Sequence, residues 1–468
     1  MKIPINKIQK KYDLIIIGAG VTGLTILYNL LEKKLNKKVL VLEYGSLFSK
    51  DPYPEKFNII SSNLKIKKNS RYFGVGGGSN VWGPLHGLLD KTKVNKFFAD
   101  SKFPINYNDY IKYINKASLN YSTPNSNIFN LNEKKYKNYK FRKLIKNKKK
   151  IKFSRYSSLL ESVKVDFVDN AFVKKLKFNR KIDKVVVKPV GRKNTIEISG
   201  NRIILSAGTL ENIRILHKSY KKIPTNLGKG FMDHASGLIG SFKSNNKIFK
   251  NFLKKKINEN FESFIGIQNN SDNSTNTYLR IKKGINYPII YKLFHSLNDK
   301  ILTDKNLVIK FFTKVFQRLL IILLRVLNFY NKGYYTLNIH CELKNNENNF
   351  VKLNKNRLIV NYKIEKNQID EIYNFLKKFE KDFKIKIFPK FNKKNLQKLI
   401  FMDAGHHMGG LGMGKDNNSL INNNLKVKKS NGTYVTGGAI FNFNDSINPS
   451  LSYIALSIYL SDQLYKRK

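Results

Sequence analysis

The first forty or so positions alternate between apolar and polar stretches in the order strand, helix, strand. Tyr12 to Ile17 form a short apolar run ending at a glycine cluster, an apolar-periodic stretch follows to about Glu32, and VLVLE occupies Val39 to Glu43. This is the pattern of a parallel βαβ unit, since parallel neighbours need a crossover between them. From Val163 to Gly208, short β-type runs (VDFVDNAFVKKLKF, KVVVKPV, RIILSAG) alternate with charged turns, which predicts a meander feeding another core strand. A second β-rich stretch spans Ser236 to about Tyr362, interrupted by one long helical segment. Ile369 to Phe383 reads as an amphipathic helix, Ala404 to Gly414 as a glycine-rich loop with two histidines, and the residues from Pro449 onward as a closing helix. Lys91 to Arg155 is basic and low in complexity, and its charge run from Lys134 to Lys152 is expected on an exposed surface or loop. There is no fixed-period repeat, which excludes solenoids and propellers.

The long helical segment is amphipathic. Stepping about 100° per residue from Lys310 to Asn328 gathers Lys310, Thr313, Lys314, Gln317, Arg318, Arg325 and Asn328 on one arc, with Ile321 as the apolar exception. Phe311, Phe312, Val315, Phe316, Leu319, Leu320, Ile322, Leu323, Leu324, Val326 and Leu327 cover the rest. Such a helix either packs its apolar face on the protein with the basic face in solvent, or lies on an anionic membrane surface.

At 468 residues the chain exceeds what one core organises, so two domains are expected, one of them assembled from separated segments. A hydrophobic content of 41% with only 11 prolines excludes a disordered chain. The formal charge of +55, mostly scattered lysine, reads either as solvated surface or as attraction toward anionic lipid or an anionic substrate. No nucleic-acid-binding motif accompanies it, so nucleic acid is not an expected partner. The single cysteine, Cys341, rules out an internal disulfide and any four-cysteine metal or iron–sulfur site, so redox chemistry would need a bound organic cofactor. MKIPINKIQK lacks the apolar run of a secretory signal, and no stretch of about 18 uncharged apolar residues exists; the expectation is a cytoplasmic protein, with peripheral membrane contact left open.

Gly18, Gly20 and Gly23 form a G-x-G-x-x-G between the first strand and the first helix. There the first glycine makes the tight turn, the second lets the backbone approach a pyrophosphate, and the third lets helix and strand pack closely. Glu43 ends the next strand, where an acidic side chain accepts hydrogen bonds from ribose hydroxyls. A second glycine cluster, RYFGVGGGSNVWGP from Arg71 to Pro84, leaves backbone amides free to approach an anionic or flat ligand.

With these motifs the sequence resembles the glucose-methanol-choline (GMC) family of FAD oxidoreductases, and in particular its sugar and polyol dehydrogenases and pyranose oxidases. The resemblance is carried by IIIGAGVTG with VLE; GGGSNVW; RIILSAGTLENIRIL; GKGFMDHA; and HHMGGLGMG with YVTGGAIFNFNDSINPSLSYIALSIYLSDQL. It implies an α/β protein with two parts. One is a Rossmann-like FAD-binding domain with a discontinuous chain path (1–90, 160–235, 400–468); the other is an α+β substrate domain with an antiparallel sheet (91–159, 236–399). It further implies that Gly76, Gly77, Gly78 and Ser79 pass beside the flavin and pyrophosphate, and that Val173 bonds adenine through its backbone. Ser206, Ala207 and Gly208 would end a flavin-domain strand, with Gly438, Ala439, Asn448 and Pro449 near the ring.

Oxidising an alcohol needs a base for the hydroxyl proton while hydride leaves the carbon, and histidine suits this near neutral pH. The resemblance assigns that role to His406, with Asn448 as its partner and His407 as a rival. No third metal ligand stands at a useful spacing, so no metal is expected. His86, His217 and His295 read as structural, and His234 has no evident duty. Gly410 and Gly412 stand where the family usually has threonine and arginine. Val81 stands where several relatives carry the histidine that bonds covalently to FAD, so the flavin is expected to be noncovalent. The expected activity is transfer of hydride from the CH–OH of a sugar or polyol to FAD. The electron acceptor, whether oxygen, a quinone or a redox partner, is open. The alternatives are a lipid-like substrate at the membrane surface, or a flavin-binding interaction protein without turnover.

Overall fold

Leu14 to Ile17 are all buried, as expected of a strand covered on both faces. They lie in β1 (Lys11–Ile17) at the centre of a seven-stranded sheet in the computed structural model, which describes residues 2–46, 51–130, 139–269, 277–304, 306–330, 333–343 and 345–466, with the side chains of 327–330 outside the description. On one side β1 pairs in parallel with β2 (Val39–Leu42), which pairs in parallel with β3 (Val165–Val168). On the other side it pairs in parallel with β6 (Ile196–Leu205), Ile15 lying opposite both Leu40 and Ile203. The expected meander is β4 (Ala171–Lys177) and β5 (Asp183–Pro189), antiparallel to each other and to β6. A distant segment, β7 (Thr433–Val435), adds in parallel to β6. One sheet is thereby built from the two ends and the middle of the chain. Helix α1 (Val21–Glu32) crosses from β1 to β2, and the closing helix α5 (Ser450–Lys466) packs against it.

The second sheet is antiparallel and eight-stranded. Its order is Ile400–Asp403, His234–Lys243, Tyr334–Glu342, Thr277–Lys283, Phe261–Asn269, Tyr139–Asn147 and Leu85–His86, with Lys255–Lys256 paired to Phe261–Asn269. A small third sheet joins Phe350–Asn354 and Arg357–Tyr362 to Ile59–Asn63.

Two local expectations need correction. The charge run includes a strand, Tyr139–Asn147, where Tyr139, Leu144, Ile145 and Asn147 are buried while lysines occupy more open positions; pairing with Phe261–Asn269 overrides the local composition. Residues 134–138 of that run lie outside the described residues. The long helical interruption is two helices, α3 (Pro288–Thr303) and α4 (Leu307–Tyr330), packed on one another. Pro288 starts α3 at its first turn, where a missing N–H costs nothing.

Helix α4 turns the opposite way from a globular surface helix. Thr313 is buried and Lys310 and Gln317 are half-buried, whereas Phe311, Phe312, Val315, Phe316, Leu319, Ile322, Leu323 and Val326 are exposed, Phe312 by 64%. Of the expected helix, the side chains of Leu327 and Asn328 lie outside the described residues. Among the described residues no helix is long and apolar enough to cross a membrane.

Candidate active site

The glycine turn after β1 opens a long cleft. Gly18 has φ +100°, and a Cβ there would meet the Ser206 carbonyl oxygen at 2.7 Å, so the turn requires glycine. Gly20 caps α1, whose first N–H groups have no intrahelical acceptors and face an anion-binding position. The cleft wall takes in Gly18, Gly20, Glu43, Gly77, Gly78, Val173, Ala207, Gly208 and Gly438. Other expected contacts sit behind it. Gly23 packs on Gly18, Ala439 is fully buried, and Gly76 and Pro449 are not on the wall. The Ser79 hydroxyl donates to the Gly76 carbonyl at 2.7 Å and accepts from the Phe153 N–H at 2.7 Å, which ties the second glycine loop together. The Glu43 carboxylate accepts from the N–H of Ala19 at 2.8 Å and of Gly45 at 2.9 Å, tying the first glycine turn to the residues after β2 while burial pushes its pKa up.

Tyr44, Phe57, Phe73 and Phe172 crowd one end of the cleft, a flat-ligand environment that the sequence reading did not pick out. Beside them Arg71 and Arg214 grip one carboxylate, Arg71 Nη2 at 2.6 Å from Glu211 Oε1 and Arg214 Nε at 2.5 Å from Glu211 Oε2. The triad keeps one net positive charge on the wall. Arg214 Nη2 also donates to the Val173 carbonyl at 2.8 Å. A cleft lined by a glycine turn, a helix N-terminus and an aromatic cluster, with a second cavity adjoining it, fits an adenine dinucleotide with a second ring system such as FAD.

The adjoining cavity, about 590 Å³, shares Val21, Ser70, Gly78, Gly405 and Tyr453 with the cleft. His406 and Asn448 both line it. His406 Nε2 lies 3.0 Å from Asn448 Nδ2, and His406 Nδ1 lies 2.8 Å from Nδ1 of His234. His234 Nε2 in turn contacts the Asp445 carbonyl oxygen. Proton positions follow from this chain of partners. The carbonyl can only accept, so His234 carries its proton on Nε2 and accepts at Nδ1, and His406 donates from Nδ1. The lone pair of His406 is therefore on Nε2, beside Asn448. Burial, with His234, His340 and Lys67 nearby, holds the His406 pKa well below its usual value, so the ring is neutral at pH 7. His234 is lowered by burial to about 4.

His407 points elsewhere. Its ring is buried, with Nε2 at 3.0 Å from Asp403 and 3.5 Å from Asp233. Asp233 also accepts the His406 N–H at 3.0 Å, and Asp403 accepts from Ser70 Oγ at 2.6 Å and the Lys67 N–H at 2.9 Å. Burial opposes ionisation of Asp403, but the His407 hydrogen bond and Lys67 hold its pKa below the ordinary range; burial raises that of Asp233. Asp233, His234 and His406, and likewise Asp233, Asp403 and His407, lie close enough to hold an ion, but these hydrogen bonds already engage their atoms.

Of three further histidines in this region, His234 and His340 had no role from sequence and His295 was read as structural. His234 orients His406, and His295 and His340 line the cavity. His234 stood within the GKGFMDHA block, which was its signal; His340 had none. His86 is buried behind the cavity wall, against Trp82 and Ser450, and His217 lies on helix α2 (Thr209–Ser219). Val81 lines the cavity and carries no ring nitrogen. Gly410 has φ +88°, and a Cβ there would meet Ile213 at 2.5 Å, which explains why the loop departs from the usual threonine.

Comparison with known proteins agrees with this architecture. Residues 346–457 match the family model described as GMC oxidoreductase. No curated protein matches the sequence. Among solved structures, the chain resembles an FAD-dependent oxidoreductase from Chaetomium thermophilum (14% identity, TM-score 0.65, 97% of this chain and 99% of that one). It also resembles the formate oxidase of Aspergillus oryzae (12%, 0.62, 98% of each) and pyridoxine 4-oxidase from "Mesorbium loti" (12%, 0.59, 97% and 99%). The chain thus has the α/β fold of these solved oxidoreductases over nearly its whole length, while the match to the GMC oxidoreductase model covers residues 346–457.

Proposed function

We propose that this chain is an oxidoreductase of GMC type that binds FAD noncovalently and oxidises a CH–OH group, the class of sugars and polyols being the starting point. The observation that carries this reading is a neutral His406 whose Nε2 accepts from the Asn448 amide at the wall of a cavity continuous with a dinucleotide cleft. FAD, when bound, supplies the acceptor for the hydride that leaves the carbinol carbon. His406 Nε2 takes the hydroxyl proton, and the Asn448 amide donates a hydrogen bond to the same oxygen and stabilises the charge developing there. His234 acts through His406 by fixing its tautomer. Gly18, Gly20, Gly77 and Gly78 would lie along the cofactor, with Glu43 and Val173 toward its adenosine end and Gly438 toward the ring. The division into a cofactor part (1–90, 160–235, 400–468) and a substrate part (91–159, 236–399) belongs to the same reading. Purified protein is expected to carry FAD that acid releases, because Val81 offers no attachment, and the visible flavin band is expected to bleach anaerobically with an alcohol substrate. Colourless protein that takes up no added FAD would remove the basis of the proposal.

A second component concerns location. The exposed apolar face of α4, flanked by exposed Lys314, Arg318 and Arg325, supports peripheral contact with an anionic bilayer. A second copy of the chain is disfavoured as the occupant, because each carries a formal charge of +55. This arrangement would suit an acceptor or a lipid-like substrate held in the membrane.

A further inference from the structure

The substrate cavity has a one-sided charge. Among the described residues its wall carries Lys67, Lys146 and Arg280 and no aspartate or glutamate. Other acids nearby are already engaged: Asp403 by Ser70 and His407, Asp445 by Arg142 at 2.9 Å, Asp299 by Lys65 at 2.5 Å. Arg280 is the most informative of the three cations. It projects from strand Thr277–Lys283 over the ring of Phe264 at 4.1 Å, and its Nε is buried without a hydrogen-bond partner. Two residues earlier on the same strand, the Tyr278 hydroxyl also lines the cavity, buried and unpartnered.

Buried donors without partners are uncommon because each forfeits the hydrogen bonds that water would give it, and a buried cation without a counter-charge is costlier still. A protein that keeps such groups around a cavity beside its catalytic base retains them for a ligand that satisfies them. A guanidinium fork pairs best with a planar carboxylate or a phosphate, through parallel N–H···O bonds.

We infer that the substrate is an alcohol bearing an anionic group, a carboxylate or a phosphate ester, which is received by Arg280 with Tyr278, while His406 and Asn448 hold the hydroxyl to be oxidised. This rests on the cavity being the substrate site of the proposed oxidoreductase. The neutral sugars and polyols of the resemblance narrow accordingly to their acidic derivatives. Burial lowers the pKa of Arg280, and the groups that oppose the shift are the phenols of Tyr278 and Tyr291 with no carboxylate among them, in keeping with a cation that waits for its partner.

The sole tryptophan of the chain, Trp82, lines this cavity, so its emission reports occupancy without any need for turnover. Holoprotein is titrated with glucuronate, glucose 6-phosphate and glucose at constant ionic strength. At least one anion should perturb Trp82 at concentrations tenfold or more below those of glucose, and which one does so separates carboxylate from phosphate recognition. Arg280→Gln should abolish that preference, and Lys146→Gln should weaken it. The thermal midpoint of ligand-free Arg280→Gln should equal or exceed that of wild type, whereas an arginine kept for folding would lower it. The proposal is overturned if neither anion binds more tightly than glucose, or if the preference survives in a folded Arg280→Gln. Loss of alcohol-dependent flavin bleaching with the anion preference intact would instead count against the oxidoreductase reading alone.

Discussion

The two glycines Gly20 and Gly23 separate cofactor binding from folding. At Gly23 an added Cβ would stand 2.0 Å from the Gly18 carbonyl oxygen and 2.8 Å from Ser206 Oγ. The hydroxyl can rotate away, but the carbonyl belongs to the tight turn and cannot, so α1 must move off β1 by more than an ångström. Overpacking of this kind costs about 1–3 kcal/mol, and a backbone obstacle puts Gly23→Ala at the upper end, about 3 kcal/mol. At Gly20 the nearest atom to an added Cβ is Gly77 Cα at 3.8 Å, ordinary contact, and φ is −82°. Gly20→Val therefore has no steric reason to unfold the protein. Its methyls enter the cleft wall, where a pyrophosphate must approach the backbone. Urea denaturation of flavin-stripped protein, which removes the stabilisation that a ligand adds, should show Gly23→Ala weakened by about 3 kcal/mol and Gly20→Val close to wild type. FAD absorbance per protein should be lost in Gly20→Val. Full flavin content in Gly20→Val, or unchanged stability in Gly23→Ala, would refute the assignment of the turn.

Other expectations concern chemistry, pH and surface. In anaerobic stopped-flow, His406→Ala should reduce its flavin about 10²–10⁴-fold more slowly with the fold intact, and Asn448→Ala should lose less because an amide cannot act as the base. His407→Ala should lose stability rather than chemistry, since it strands Asp403 and Asp233 in the interior; a dead but fully stable His407→Ala would reverse the two roles. Burial lowers His86 and His234 from 6.5 to about 4. Below pH 6.5 the unfolded chain binds protons that the folded one refuses, so stability present above pH 6.5 is lost toward pH 4. The slope is about 1.4 kcal/mol per pH unit for each such histidine, and Asp233, raised by burial, works in the opposite direction. Urea midpoints at pH 6, 5.5 and 5 should fall, because over that range the two histidines outweigh Asp233, and a flat series would contradict the neutral buried histidines. Phe312→Asp with Phe316→Asp should abolish sedimentation with phosphatidylglycerol vesicles, and Arg318→Glu and Arg325→Glu should weaken it by about 1 kcal/mol each. Wild-type protein that stays in the supernatant at low salt would dismiss the membrane assignment.

What the sequence disclosed was local or tied to a motif. The βαβ start, the meander before Gly208 and the closing helix all follow from periodicity and glycine placement within short windows, and each stands in the structure. The long-range partners were not legible. His234 and His406 lie 172 residues apart in sequence, and Arg71 and Glu211 lie 140 apart, so only the folded chain brings them together. Strand Tyr139–Asn147 was hidden because lysines interrupt its apolar alternation and the neighbouring strand, not its own composition, holds it. Helix α4 shows a different limit: periodicity reveals that two faces differ, but which of them meets the protein depends on α3, which no pattern within α4 records.

That outward apolar face also governs how the molecules behave toward one another. At low ionic strength the large positive charge keeps copies apart over about 30 Å, the screening length at 0.01 M salt. At 1 M salt that length contracts to about 3 Å, and the phenylalanines and leucines of α4 can meet their counterparts on a neighbouring molecule. Salt, which ordinarily dissolves the contacts of a basic protein, here removes the barrier to self-association. Dilute buffer or a mild detergent is then the condition in which the protein stays dispersed, and light scattering should rise as salt is added.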